Sequence, residues 1–188
     1  MPQTKVLLDS NAYFRLAKSI HPLLFEVFGA TEYCLYVLKE MEDEWSRSTR
    51  LKNKFAWVNE QQYRANRGKM LVLSKKQRKE LPTVFDFVWD FIQVNDGGPS
   101  RVDAWNIAYG YVLGIVVVTD DVSMRSVATE FGVPTISSLR LLQIMVEEAH
   151  INMPKVREVA AYWIFDGDKP ANFRLEYIDL FGEDPPVV

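Results

Sequence analysis

Five acidic residues stand where a folded chain could bring their carboxylates together. Asp9 directly follows one apolar run, Glu40 follows a second, and Asp120 and Asp121 follow a third, while Asp103 opens a segment of helical periodicity. Carboxylate oxygens are the ligands that Mg²⁺ and Mn²⁺ prefer, and all-carboxylate metal sites support phosphoryl transfer and phosphodiester hydrolysis. The spacing of the acids therefore indicates metal-dependent chemistry on phosphate esters.

Predicted strands would position these acids. The strand candidates are residues 5–8, 33–38, 115–118 and 133–136. Each runs into a segment that favours a helix, and this alternation is typical of an α/β domain with a parallel sheet. Ligands bind beyond the carboxyl ends of parallel strands, because loops and helix N-termini meet there. We therefore expect the acids that follow the strands to lie at one edge of the sheet.

Asp103 has the spacing of a capping box with Ser100, which predicts that it lies in the first turn of a helix ending near Gly114. If that helix begins at the same sheet edge, four carboxylates share one pocket and need protons or cations between them. Each acid alone also fits a simpler role as a helix cap or in a turn. Their shared position is what favours the metal site.

The second acid of the set is open to alternatives. Glu42, Asp43 and Glu44 follow Glu40 closely enough that any of them could be the ligand. We favour Glu40 because it is the nearest to the end of the predicted strand.

A basic segment, residues 47–79, contains eleven of the 22 Lys and Arg residues and a single acid, Glu60. Phe55, Trp57 and Tyr63 are interleaved with the charges, which is typical of surfaces that bind nucleic acid through cations and stacked rings. The residues that we expect to bind nucleic acid are Lys69, Lys75, Lys76, Arg78 and Lys79. A solvated helical arm whose aromatic residues face the core would have the same composition.

Composition is that of an ordinary globular chain of 188 residues, with 48% apolar and 25% charged residues. One cysteine and two histidines exclude an internal disulfide and leave a structural zinc site without ligands. No apolar run approaches the roughly 18 residues that would span a bilayer. We therefore expect a cytoplasmic protein with no membrane partner.

Other enzyme classes lack their motifs here. Neither His21 nor His150 lies in a motif that supplies the base of a serine or cysteine hydrolase. The sequence contains no glycine-rich phosphate loop, because Gly97 and Gly98 are followed by Pro99 and mark a break in the chain. Nucleotide hydrolysis of the P-loop type is therefore not expected.

Four segments resemble the PIN-domain nucleases, a family that includes the VapC-type toxins of toxin–antitoxin pairs. The matching segments are VLLDSNAYFRL at 6–16, YVLKEME at 36–42, SRVDAWNIAYG at 100–110 and VVVTDDVSMRSVATEFGVPTI at 116–136. The resemblance covers about residues 1–145 of the chain. It depends on the order and spacing of the segments and on the long final match.

The resemblance implies a three-layer α/β/α sandwich with a central, mostly parallel sheet, and an endoribonuclease that cuts single-stranded RNA. Binding of Mg²⁺ or Mn²⁺ and catalysis would be carried out by Asp9, Glu40, Asp103 and Asp121. Asp120 is the alternative to Asp121. Asn11 and Thr119 match polar residues that in the family help to orient the first and last carboxylates.

The chain is longer than the small toxins of that family. We predict a PIN-like nuclease domain at 1–150, with a basic helical insert at about 46–95, and a helical C-terminal appendage at 151–188. RNA is the implied partner, with an antitoxin protein if the chain is a toxin, and a homodimer is left open. The alternative is a catalytically silent PIN-like module that binds protein or RNA.

Overall fold

The apolar runs form a five-stranded sheet in the computed structural model, which describes residues 3–69, 71–95 and 97–187. The strands are β1 (Thr4–Leu8), β2 (Val27–Phe28), β3 (Tyr33–Val37), β4 (Val116–Val118) and β5 (Thr135–Ile136). Their order is β2-β3-β1-β4-β5, and every neighbouring pair is parallel except β2 and β3. The predicted α/β class and mostly parallel sheet are confirmed. β2 was not predicted, because two residues are too short to show a period.

Helices connect the strands and extend the chain beyond them. They are α1 (Ser10–Leu16), α2 (Glu40–Arg47), α3 (Thr49–Lys54), α4 (Gln61–Arg67), α5 (Lys75–Val94), α6 (Arg101–Leu113), α7 (Val122–Glu130), α8 (Ser138–Glu147), α9 (Met153–Phe165) and α10 (Phe173–Phe181). A short 3-10 turn at Ala56–Asn59 separates α3 from α4. None of the described helices is long and apolar enough to cross a membrane.

Both faces of the sheet are covered, because successive residues of a strand point to opposite faces. Leu8 and Val118 belong to a first core cluster, which they form with buried residues of α1, α8, α9 and α10. Leu7 and Val117 belong to a second core cluster with buried residues of α5, α6 and α7. Unbroken apolar runs predict strands of this kind, buried on both sides.

The aromatic residues of the basic segment belong to the core. Phe55, Trp57 and Tyr63 are all buried in the first core cluster, at 4%, 8% and 7% exposure. The side chain of Arg67 is 5% exposed and donates to the hydroxyl of Tyr13 at 3.0 Å. The segment is therefore a helical arm whose rings face inward, which was the alternative interpretation of its composition.

The C-terminal helices α9 and α10 also contribute to the first core cluster. Trp163 and Tyr177 are buried, at 1% and 0% exposure. The indole nitrogen of Trp163 donates to the carbonyl oxygen of Arg15 in α1 at 2.8 Å. Residues 153–181 thus complete the hydrophobic packing around α1.

Helix α6 packs closely on the sheet because Gly110 faces it. A Cβ atom at this position would lie 2.6 Å from Val133 and 2.8 Å from Val117. The helix begins with the predicted capping box, in which Ser100 accepts from the Asp103 amide at 3.2 Å. It ends at Gly114, whose φ of 62° is in the left-handed region that glycine favours. Close packing fixes α6, and with it Asp103, relative to β4.

Candidate active site

The carboxyl ends of three parallel strands meet at one edge of the sheet. The register pairs Leu8 of β1 with Val37 of β3 and with Val118 of β4, so the three strands end level. Asp9 follows β1 directly, and Asp120 follows β4 after one residue. The negative charges of Asp103 and Asp120 both raise the pKa of Asp9, so these side chains are near neighbours. The structure therefore brings Asp9 and Asp103 to the same edge.

Asp9 is a buried carboxylate with 1% exposure. It caps α1, where one oxygen accepts from the Ala12 amide at 2.6 Å, and the Thr119 side chain is hydrogen-bonded to it as well. Burial raises the pKa of Asp9 to about 7, even though these two hydrogen bonds act in the opposite direction. Near neutral pH, the ionised form of Asp9 is therefore costly unless a cation compensates it.

Asp103 has a similar environment at the start of α6. Burial raises its pKa to about 6, although hydrogen bonds from Ser100 lower it, and the charges of Glu44 and Asp121 raise it further. Within the described residues, no Lys or Arg side chain forms an ion pair with Asp9 or Asp103. A buried and a partly buried carboxylate, both without a cationic partner among the described residues, thus share this edge.

Helix α2 places Glu44 beside these acids. Glu44 accepts a hydrogen bond from the hydroxyl of Ser10, the neighbour of Asp9, at 2.7 Å. Glu40 lies one turn earlier, and together with burial its charge raises the pKa of Tyr109. One buried oxygen of Glu40 has no hydrogen-bond partner among the described residues. The sequence favoured Glu40 because of its closeness to the strand, but the i, i+4 spacing could have identified Glu44 as a residue on the same helix face.

Asp120 has a structural role. It is 7% exposed, and it forms an ion pair with Arg15 at 2.7 Å. Its oxygens also accept from the amide of Ser138 at 2.9 Å and from its hydroxyl at 2.6 Å. Arg15 in turn donates to the carbonyl oxygen of Asp168 at 3.1 Å. Asp120 therefore ties together α1, α8 and the loop after α9.

Asp121 is the more available of the two acids after β4. It is exposed and caps α7, where it accepts from the Met124 amide at 2.9 Å and from the Ser123 hydroxyl. Burial raises the pKa of Asp121, but these hydrogen bonds outweigh it and hold the pKa below its usual range. The Thr119 hydroxyl oxygen accepts from the Asp121 amide at 3.1 Å. Thr119 thus contacts both Asp9 and Asp121.

The two neighbouring acids should respond differently to substitution. Asp120→Asn should lower the free energy of unfolding by about 3 kcal/mol, because it breaks a buried ion pair. Asp121→Asn should change it by less than about 1 kcal/mol, because Asn caps helices nearly as well as Asp. Urea denaturation of both variants measures the difference. Equal losses in the two variants would contradict the structural role of Asp120.

The remaining predicted site residues are Asn11 and the cations of the basic segment. Asn11 is exposed in the first turn of α1, and within the described ranges its side chain has no hydrogen bond. Four of the cations predicted to bind RNA lie in the first turns of α5, where all four are exposed. They are Lys75, Lys76, Arg78 and Lys79. Lys69 is exposed before α5, with its ammonium 5.5 Å from the centre of the Phe25 ring.

Helices α5 and α6 run antiparallel, which separates this cationic end of α5 from Asp103. Phe85 stacks on Trp105 at 3.8 Å between ring centres, and Arg101 lies over Phe85 and Trp89 at 5.0 and 5.8 Å. At 1.5 Å per residue, Lys75 lies about 15 Å along the axis from Phe85, toward the C-terminal half of α6. Lys75 and its cationic neighbours at this end of α5 are therefore not beside the carboxylates.

Two clefts adjoin Glu40 at this edge. The smaller, of about 210 Å³, is lined by Lys39, Lys69 and Tyr109 among others. The larger, of about 380 Å³, is lined by Glu40, Asp43, Glu44, Arg47, Ser48, Ser100, Arg101, Val102 and Trp105. Arg47, Arg101 and Trp105 were not singled out from the sequence, because only the packing of α2 against α6 brings them together.

The acidic edge fits a hard divalent cation in its donor chemistry. Carboxylate oxygens are the ligands that Mg²⁺ and Mn²⁺ prefer, and the buried Asp9 and the partly buried Asp103 have no compensating charge among the described residues. Glu40 adds a buried oxygen without a partner in the described part of the chain. Across residues 3–69, 71–95 and 97–187, however, no three His, Cys, Asp or Glu side chains gather closely enough to form a metal-binding group. The donors are of the right type but are spread wider than one coordination shell.

Comparisons with protein-family models, curated proteins and solved structures gave no match to this chain. The chemistry of the acidic edge is therefore the basis on which a function can be proposed.

Proposed function

We propose that the protein is a metal-dependent endoribonuclease whose active site is the acidic edge of the sheet. One observation carries the proposal: Asp9 is buried and Asp103 is partly buried at the same edge, with pKa values of about 7 and 6 and no cationic partner among the described residues. Folding Asp9 into this environment costs free energy at neutral pH. A buried carboxylate that destabilises the folded protein in this way marks a candidate functional site, because a bound cation can offset the destabilisation.

The proposal assigns roles to the side chains at the edge. Asp9, Asp103, Glu44 and Asp121 would hold Mg²⁺ or Mn²⁺, with Glu40 as a further donor. Such an ion supplies a water of lowered pKa and offsets charge on a phosphate group. Thr119 orients the first and last carboxylates through its contacts with Asp9 and Asp121, and the Ser10 hydroxyl orients Glu44.

The proposal includes the PIN-like fold that the sequence motifs imply. Support comes from the mostly parallel sheet with buried residues on both faces, which suits a three-layer α/β/α sandwich. The toxin function and an antitoxin partner follow from the sequence resemblance alone and stay predictions.

Cleavage of a fluorescent, unstructured oligoribonucleotide tests the proposal. We expect Mn²⁺ or Mg²⁺ to support cleavage and EDTA to stop it. Asp103→Asn should reduce the rate by at least about 100-fold, because even second-shell changes at metal sites cost 10- to 100-fold. Asp179→Asn, an exposed change in α10, is the matched control and should retain the wild-type rate. Cleavage that persists in Asp103→Asn, or that needs no metal, would contradict the assignment.

A catalytically silent RNA-binding module is the second candidate. It is favoured by the wide spread of the carboxylates, of which no three in the described ranges form a metal-binding group. This candidate predicts binding of the same oligoribonucleotide without cleavage at any Mn²⁺ concentration. The cleavage assay therefore separates the two functions.

A further inference from the structure

We propose that the larger cleft beside Asp103 binds one nucleotide of a single-stranded RNA, with its phosphate on Arg47 and Arg101 and its base against Trp105. This inference rests on the proposed function and names the surface that would hold the substrate. It differs from the sequence-based expectation, which assigned RNA binding to Lys69 and the first turns of α5.

The position of the cleft connects it with the acidic edge. Glu40 and Glu44 line one side of it, and Ser100, which caps the helix of Asp103, lines the other. A nucleotide in this cleft would lie next to the carboxylates that are proposed to hold the metal. The cleft, of about 380 Å³, is large enough for a nucleobase with its phosphate.

Two guanidinium groups at the cleft can receive a phosphate. Arg47 and Arg101 are both exposed, and among the described residues neither forms an ion pair. Arg101 lies over the rings of Phe85 and Trp89 at 5.0 and 5.8 Å, so its side chain is held in place before a ligand binds. A guanidinium that is held by rings still presents its N–H groups, which suit the geometry of a phosphate.

An aromatic stack forms the other half of the site. Trp105 lies against Phe85 at 3.8 Å with an angle of 15° between the rings, and Phe85 is nearly parallel to Trp89 at 7°. Trp105 is partly exposed and lines the cleft. A base that stacks on Trp105 would extend a row of three roughly parallel rings, and stacking of this kind accepts any base.

Glu40 supplies the remaining contact. It lines the same cleft, and one of its oxygens is buried without a hydrogen-bond partner among the described residues. Such an oxygen is costly to leave unpaired, and an N–H group of a base can satisfy it. Cations, an aromatic ring and an unpaired acceptor together match the phosphate, ring and N–H groups of a nucleotide. The acidic side chains Asp43 and Glu44 would direct the phosphate toward the arginines.

Fluorescence anisotropy with a fluorescein-labelled ten-residue oligouridylate tests the inference, in EDTA so that no metal-dependent cleavage occurs. The double variant Arg47→Gln/Arg101→Gln should bind about 10-fold more weakly. The slope of log affinity against log salt should fall by about 0.7, which corresponds to one phosphate contact on a single strand. Trp105→Leu should weaken binding at least about 5-fold through lost stacking.

Arg157→Gln/Arg174→Gln is the matched control, because it removes the same charge from exposed residues of α9 and α10. It should bind with wild-type affinity. Urea denaturation of every variant checks folding, and if Trp105→Leu unfolds, the exposed arginine pair decides the question.

The outcomes separate this inference from the proposed nuclease activity. Equal affinity of the wild type and the arginine double variant overturns the inference, as does a wild type that does not bind the probe. A further variant replaces Lys75, Lys76, Arg78 and Lys79 with Glu. If this variant alone loses binding, the inference is also overturned, and the N-terminal end of α5 is the RNA-binding surface instead. Arginine-dependent binding without metal-dependent cleavage would support the cleft and reject the nuclease.

Discussion

Replacing Asp9 with Asn should make the metal-free protein more stable at pH 7.5 and reduce metal-dependent RNA cleavage by at least about 100-fold. Both effects have one cause. Burial raises the pKa of Asp9 to about 7, so above that pH the folded protein holds a buried, ionised carboxylate with no cationic partner among the described residues. Asn keeps an oxygen for the helix cap and removes the charge.

The sign of the pH dependence follows from the raised pKa of Asp9. The folded state binds the proton more tightly than the unfolded state, so the stabilising contribution is complete below the ordinary value of 3.8 and is lost as pH rises through about 7. The loss is of the order of 4 kcal/mol at most, from about three pKa units at 1.36 kcal/mol each. Urea denaturation in EDTA at pH 5 and pH 7.5 measures the part of this loss that falls between pH 5 and about 7, which is about 3 kcal/mol from two pKa units.

Three comparisons sharpen this experiment. Asp9→Asn should show a smaller difference between the two pH values than the wild type. Mg²⁺ should restore stability at pH 7.5 in the wild type but not in this variant. Asp86→Asn, an exposed change in α5, should behave as the wild type. A wild type whose stability does not change between pH 5 and pH 7.5 would contradict the environment described for Asp9.

The second large effect is expected for Trp163→Ala, which should lower the free energy of unfolding by about 4 kcal/mol. Trp163 is 1% exposed, packs edge-on against Phe173 at 6.1 Å, and donates to the Arg15 carbonyl at 2.8 Å. Its removal leaves a cavity between α9 and α1 and an unpaired carbonyl oxygen. Urea denaturation monitored by circular dichroism measures the loss.

A matched control lies on the same helix. Phe165 is 79% exposed, so Phe165→Ala should change the free energy of unfolding by less than about 0.5 kcal/mol. Trp163→Ala should shift a single transition, because α9 shares the core of α1. Two transitions, of which only one moves, would show that residues 151–188 form a separate appendage.

The parts of the fold that depend on local pattern could be predicted from the sequence. Runs such as 115–118 are apolar without interruption and form buried strands, with β4 at Val116–Val118. The Ser100–Asp103 capping box is present as its spacing indicated, and α6 ends at Gly114. The closeness of Asp103 to Asp9 was expected from the sequence only on the condition that the helix of Asp103 begins at the same sheet edge, which its capping box does not establish.

Features that depend on tertiary packing could not be predicted. The partners of Asp120 are Arg15 and Ser138, which are far from it in sequence, so no local pattern distinguishes its structural role from the role of Asp121. The basic segment was open to two interpretations for a related reason. Alternating cations and rings describe both an RNA-binding surface and an arm whose rings are buried. The contacts of Phe55 with α1 show that the rings are buried, and RNA binding by the exposed cations stays a prediction.

The contribution of α9 and α10 to the first core cluster has a consequence for biosynthesis. Tyr177, which is fully buried in that cluster, lies in α10, 161 residues after Leu16 at the end of α1. A polypeptide made from its N-terminus therefore cannot close this core until α10 has been translated, and apolar surface on α1 stays uncovered until then. We expect products that end before α10 to aggregate.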